Sequence, residues 1–95
     1  MIEAPPPEYV HPYAGRVVET IMSLREVRQY CRNEDALACT LFIPANPGDK
    51  CFVYLPSIGK GGVSPRTDQL LREHETAHCN GWPRNHPRAS RGGGS

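Results

Sequence analysis

Prolines and glycines break this chain so often that no stretch of regular structure in it can run far: ten prolines and nine glycines fall among 95 residues. Proline fixes φ and has no N–H to donate, and glycine loses the most freedom on ordering, so both punctuate helices and strands. What lies between them suffices for one domain with a small core. Small cores are commonly held by a disulfide or a metal ion, and the chain carries residues for both. Cys31, Cys39, Cys51 and Cys79 form an even set with no C-x-x-C pair. Such a set reads as two disulfides made in an oxidising compartment, secreted or periplasmic, and not as a four-thiolate zinc site. All three pairings stay open. The start, Met1-Ile2-Glu3-Ala4 followed by Pro5-Pro6-Pro7, lacks a signal-peptide pattern, which keeps a cytoplasmic location as the alternative.

Charge and hydropathy set the expected partners. Eleven basic and ten acidic residues leave a net charge of +1. A nucleic-acid partner is not expected, because that calls for basic residues massed on one face. Arg84, Arg88 and Arg91 read as a solvated C-terminal stretch. No apolar run is long enough for a bilayer, so no membrane partner is expected either.

Periodicity divides the chain. Residues 1–12 read as an extended, proline-rich arm, with His11 as a surface histidine. Residues 13–88 read as a single small domain, and 89–95 as a flexible tail. Within the domain, Val17, Val18, Ile21, Met22, Leu24, Val27, Tyr30 and Cys31 recur at three- and four-residue steps and predict an amphipathic helix over 14–32. Residues 37–43 and 51–55 predict two strands. The turn-rich Pro44–Asp49 segment between them makes a hairpin with a loop longer than two residues. Gly59-Lys60-Gly61-Gly62 lacks the Walker spacing and reads as a flexible loop bordering the site. A second helix is predicted over 66–79, with Thr67 as its N-cap and Asn80-Gly81 as its stop. The class is α+β: an N-terminal helix, a short β-hairpin or small antiparallel sheet, and a C-terminal helix that carries the chemistry.

That chemistry is written in His74-Glu75-Thr76-Ala77-His78. Residues four apart on a helix share a face, so His74 and His78 can direct imidazole nitrogens at one zinc ion. Glu75 is offset around the helix, beside the metal and free of it, where a general base for a zinc-activated water belongs. Catalytic zinc normally has three protein ligands and an open fourth position. The third ligand is expected past the turn at Gly81, and His86 is the first choice. His11, Glu73 and Cys79 are weaker candidates. Cys79 points about 100° away from His78 around the helix, which suits a disulfide or the core better. Trp82 reads as a core cap that also walls the metal pocket. Tyr54 and Arg84 are minor candidates for oxyanion stabilisation.

His74-Glu75-x-x-His78 followed by Gly81-Trp82 and His86 resembles the zincin superfamily of zinc metallopeptidases, and within it the metzincin pattern H-E-x-x-H-x-x-G-x-x-H. The match covers about thirteen residues. It departs at the third histidine, since Arg84 stands three residues after the glycine and His86 two further on. No Met-turn segment follows. The resemblance implies a small sheet whose edge strand lines a cleft, with the motif helix beneath it. It also implies a zinc-dependent hydrolase acting on a peptide or protein substrate, with Glu75 as general base. Two other readings remain: a non-catalytic, zinc-stabilised interaction or structural module, and a disulfide-bonded domain in which the motif is accidental.

Overall fold

The computed structural model describes residues 2–86. The tail assigned to 89–95, together with Arg88 and Arg91, lies outside the described residues. In chain order the elements are a 3₁₀ turn at Pro7–Tyr9, β1 (Val17–Met22), α1 (Leu24–Cys31), β2 (Cys39–Thr40), β3 (Cys51–Pro56) and α2 (Pro65–Cys79). The architecture is α+β, with a C-terminal helix packed on a three-stranded sheet of order β1-β3-β2. β3 is central, paired along both edges, and its alternate residues Cys51, Val53 and Leu55 bury one face in the core while Phe52 on the other face is exposed. It pairs parallel with β1 and antiparallel with β2. The hairpin partners are thus as expected, but the sheet is mixed, and the strand predicted over 37–43 narrows to two residues.

The main correction falls on 14–32. The helix holds only over Leu24–Cys31, and Val17–Met22 is a strand. Four of the apolar residues that suggested a helix, Val17, Val18, Ile21 and Met22, belong to β1, and three of them are β-branched. Such side chains lose rotamer freedom in a helix and pack well on a sheet. Ser23 then starts α1 with a capping box: its hydroxyl accepts from the Glu26 N–H, and the Glu26 carboxylate accepts from the Ser23 N–H. α2 also begins differently from expectation. Its N-cap is Ser64, whose Oγ accepts from the Thr67 N–H, and Pro65 occupies the first helical position.

Two core clusters result. Ala38, Cys51, Val53, Leu55, Leu71 and Cys79 fill the space between sheet and α2. Val27, Cys31, Ala36 and Cys39 fill the space under α1. Each carries one disulfide, Cys51–Cys79 in the first and Cys31–Cys39 in the second. The first ties the end of the motif helix to the central strand. The Ser57–Val63 loop is tied to its surroundings: Val63 N–H donates to Ser57 O, and Leu24 N–H donates to Gly61 O. Gly62 is required there, because a Cβ would sit 1.7 Å from Ser57 O. This loop abuts the start of α1. Among the described residues no helix is long and apolar enough to cross a membrane.

Candidate metal centre

α2 buries Asp68, Leu71, His74, Glu75, Ala77, His78 and Cys79. Most of these recur at three- and four-residue steps and fix which side faces the core. His74 and His78 therefore enter the interior together. The helix then ends in a Schellman turn, with Gly81 N–H donating to His78 O and Trp82 N–H donating to Ala77 O. Gly81 has φ +105, a conformation that side chains disfavour. The turn reverses the chain, and a second turn follows it, closed by His86 N–H on Pro83 O. That extra turn takes up the two residues by which His86 is displaced from the metzincin spacing. His86 itself sits at φ 51, left-handed and strained for a non-glycine residue.

The outcome is a group of three buried imidazoles, His74, His78 and His86, whose ligand atoms all lie within 4.8 Å of one another. The Nε2 atoms of His74 and His78 are 3.3 Å apart, and those of His78 and His86 are 3.1 Å apart. The other ring nitrogens of His74 and His78 are held by backbone carbonyls. His74 Nδ1 lies 2.8 Å from Glu3 O, and His78 Nδ1 lies 2.7 Å from Trp82 O. A carbonyl only accepts, so both Nδ1 atoms carry the proton and donate. In the neutral rings both Nε2 atoms are then lone pairs. Two lone pairs facing at 3.3 Å repel, and a cation between them turns the repulsion into two bonds. Orientation of ligating histidines by backbone carbonyls is usual at metal sites. The group can hold a metal ion.

Glu75 stands apart from this group, as its place on the helix predicts. It is 1 % exposed, and its Oε1 accepts from Thr40 Oγ1 at 2.9 Å. Burial pushes its carboxyl up to about 6, against the opposing pulls of the His74 charge, the Thr40 hydrogen bond and the Arg84 charge. Trp82 is fully buried and packs on all three imidazoles, stacked on His78 at 5.0 Å between centroids and 4.6 Å from His86. It is both core and wall of the site.

The weaker candidates lie elsewhere. His11 and Glu73 are exposed, and Cys79 is in a disulfide. Tyr54 packs against Tyr30 at 4.8 Å. Arg84 donates to Leu41 O at 3.5 Å. Three contributors escaped the sequence: the hydroxyl of Thr40 and the carbonyls of Glu3 and Trp82. Thr40 is 35 residues from Glu75, and the carbonyls belong to backbone that any residue would supply, so no side-chain pattern marks them. No protein-family model matches this chain, no curated protein is similar to it and no solved structure matches it, so the centre is known by its own geometry.

Proposed function

We propose that the chain is a zinc-dependent hydrolase of peptide or amide bonds, with His74, His78 and His86 as metal ligands and Glu75 as general base. One observation carries this reading: three Nε2 atoms converge while an adjacent buried carboxylate stays outside their group. Zinc fits the donor set, since a tetrahedron with Zn–N bonds of about 2.05 Å has edges of about 3.3 Å. The two separations above, 3.3 and 3.1 Å, are close to that. Three protein ligands also leave one position for a water.

Zinc held there supplies acidification of a water and polarisation of a carbonyl. Glu75 takes a proton from the attacking water as its oxygen adds to the carbonyl carbon. It returns that proton to the departing nitrogen as the C–N bond breaks. Thr40 holds the carboxylate in place through one oxygen. Trp82 keeps bulk water from the imidazoles. The zincin resemblance belongs to the same proposal. Its support is the motif helix packed on a small sheet with β2 at one edge.

The test is elemental analysis with a turnover assay. Purified protein should hold one zinc per chain, and Glu75→Gln should keep the zinc while losing cleavage of peptide libraries by at least a thousandfold. Zinc-loaded wild type that cleaves neither peptides nor cell-wall amides ends this reading. One observation favours the alternative of a non-catalytic, zinc-stabilised module: the three histidines and Glu75 are only 1–5 % exposed. Cobalt substitution separates the two. A hydroxamate that perturbs the cobalt visible spectrum reports an open ligand position, and an unchanged spectrum reports a closed one.

A further inference from the structure

A groove of ≈ 640 Å³ opens between the last turn of α1 and the chain leaving β2, with Tyr30, Arg32, Leu41, Phe42 and Arg84 on its walls. Apolar rings stand bare in it: Phe42 is 75 % exposed and Tyr30 56 %. Phe42 is the most exposed of the large apolar side chains described, and exposed rings gathered in a groove are a mark of an interaction site. No acidic side chain lines the groove. A neighbouring depression of ≈ 440 Å³ shares Arg32 and adds Arg25 and Arg28, with Glu34 as its acid. Arg25 and Arg28, three residues apart, share one side of α1, and Arg32 follows as its left-handed C-cap, lining the same depression. Among the described residues both ion pairs are made by Arg72, so Arg25, Arg28 and Arg32 are in neither, while the Arg84 charge also bears on Glu75.

Two walls of the groove adjoin the candidate metal centre along the chain. Thr40, whose hydroxyl anchors Glu75, is followed directly by Leu41 and Phe42. Arg84 precedes His86 by two residues and binds the Leu41 carbonyl. β2, from which this wall continues, is an edge strand. The geometry points to a seat for an acidic polypeptide segment anchored by an aromatic or branched aliphatic side chain. Guanidinium groups pair with carboxylates through two parallel hydrogen bonds, and the rings take the apolar anchor. A nucleic acid suits it less, because the floor is apolar and the chain's net charge is only +1. That this segment is the substrate rests on the hydrolase reading; that it binds does not.

The experiment uses zinc-loaded Glu75→Gln and fluorescence anisotropy. The probes are a labelled peptide with Asp and Glu flanking Phe-Leu, the same peptide with Lys at the acidic positions, the acidic peptide with Ala-Ala at its centre, and oligothymidylate of matching charge. The acidic Phe-Leu peptide should bind at least tenfold more tightly than the lysine peptide and the oligonucleotide, and at least fivefold more tightly than the Ala-Ala peptide. Adding Arg32→Glu with Arg84→Glu should weaken it at least tenfold. Phe42→Ala, at a position exposed enough to leave the fold intact, should weaken it severalfold. Equal binding of the lysine peptide, preference for the oligonucleotide, or indifference to both sets of substitutions overturns the proposal. Binding of this pattern without cleavage by wild type upholds the groove and removes the hydrolase reading. Cleavage by wild type with no preference for acidic peptides does the reverse.

Discussion

Glu75 is a carboxylate almost without solvent, kept ionised only by its neighbours. Its folded pKa is raised from 4.5 to about 6, first by burial. The folded state therefore binds more protons than the unfolded state between those values, and stability falls as pH rises through that window. The penalty is absent below about 4.5 and complete above about 6, where it amounts to about 2 kcal/mol at 1.36 kcal/mol per unit. In metal-free protein, Glu75→Gln should gain stability relative to wild type by about that amount between pH 4 and pH 7. Urea melts at the two pH values check it, and a difference that stays flat refutes it. Thr40 works in the opposite direction, because its hydroxyl favours the charged form. Thr40→Val should raise the Glu75 pKa further, move the acid limb of any pH–rate profile upward and cost about 1–3 kcal/mol for an orphaned buried acceptor. The approach of His74 and His78 was legible because one turn of helix fixes them relative to one another from local geometry alone. His86 was legible because Gly81 announced a reversal. Thr40 was not, since its role depends on β2 meeting α2 across 35 residues of chain.

Elements show where local pattern stops deciding. Val17, Val18, Ile21 and Met22 fit a helical stripe as well as a strand, and partners settle the choice. β1 finds a parallel neighbour in β3, with Val17 opposite Cys51 and Met22 opposite Pro56. A parallel neighbour 34 residues away leaves no sign in a local window. Near Ser23 the signal was present, since Ser23 and Glu26 spell a capping box three residues apart. α2 was legible almost to its ends, because its stop is chemical: Gly81 takes a φ that other residues pay for in strain. The same turn sets Trp82 O against His78 Nδ1. Gly81→Ala should cost about 1–2 kcal/mol and, by shifting that carbonyl, weaken zinc binding about 10- to 100-fold. Competition against a zinc-sensitive dye reads the second effect. Unchanged affinity alongside the lost stability would separate helix termination from metal orientation.

At the scale of the whole molecule, three kinds of fastener share a small core. The disulfides join α1 to β2 and α2 to β3. The N-terminal arm, expected as an extended proline-rich segment, is tied to α2 and its cap: Asn80 Nδ2 donates to Tyr9 O and His11 O, and Glu3 O receives the His74 Nδ1 proton. The imidazoles link α2 to the turn that ends at His86. The arm is therefore coupled to the candidate metal site. Deleting residues 2–6 should leave the sheet and both disulfides in place while lowering zinc affinity about 10- to 100-fold, as loss of an outer partner does. The metal in turn should stabilise the fold by mass action, by about 2.7 kcal/mol when free zinc is 100 times its Kd. In a domain near 100 residues, each kcal/mol moves Tm by about 4–8 °C. Chelating zinc with the disulfides intact should thus lower Tm by about 10–20 °C. His86→Ala should melt near the chelated protein and respond little to chelator. Melting curves that coincide with and without zinc would mean the three imidazoles hold nothing that the fold depends on.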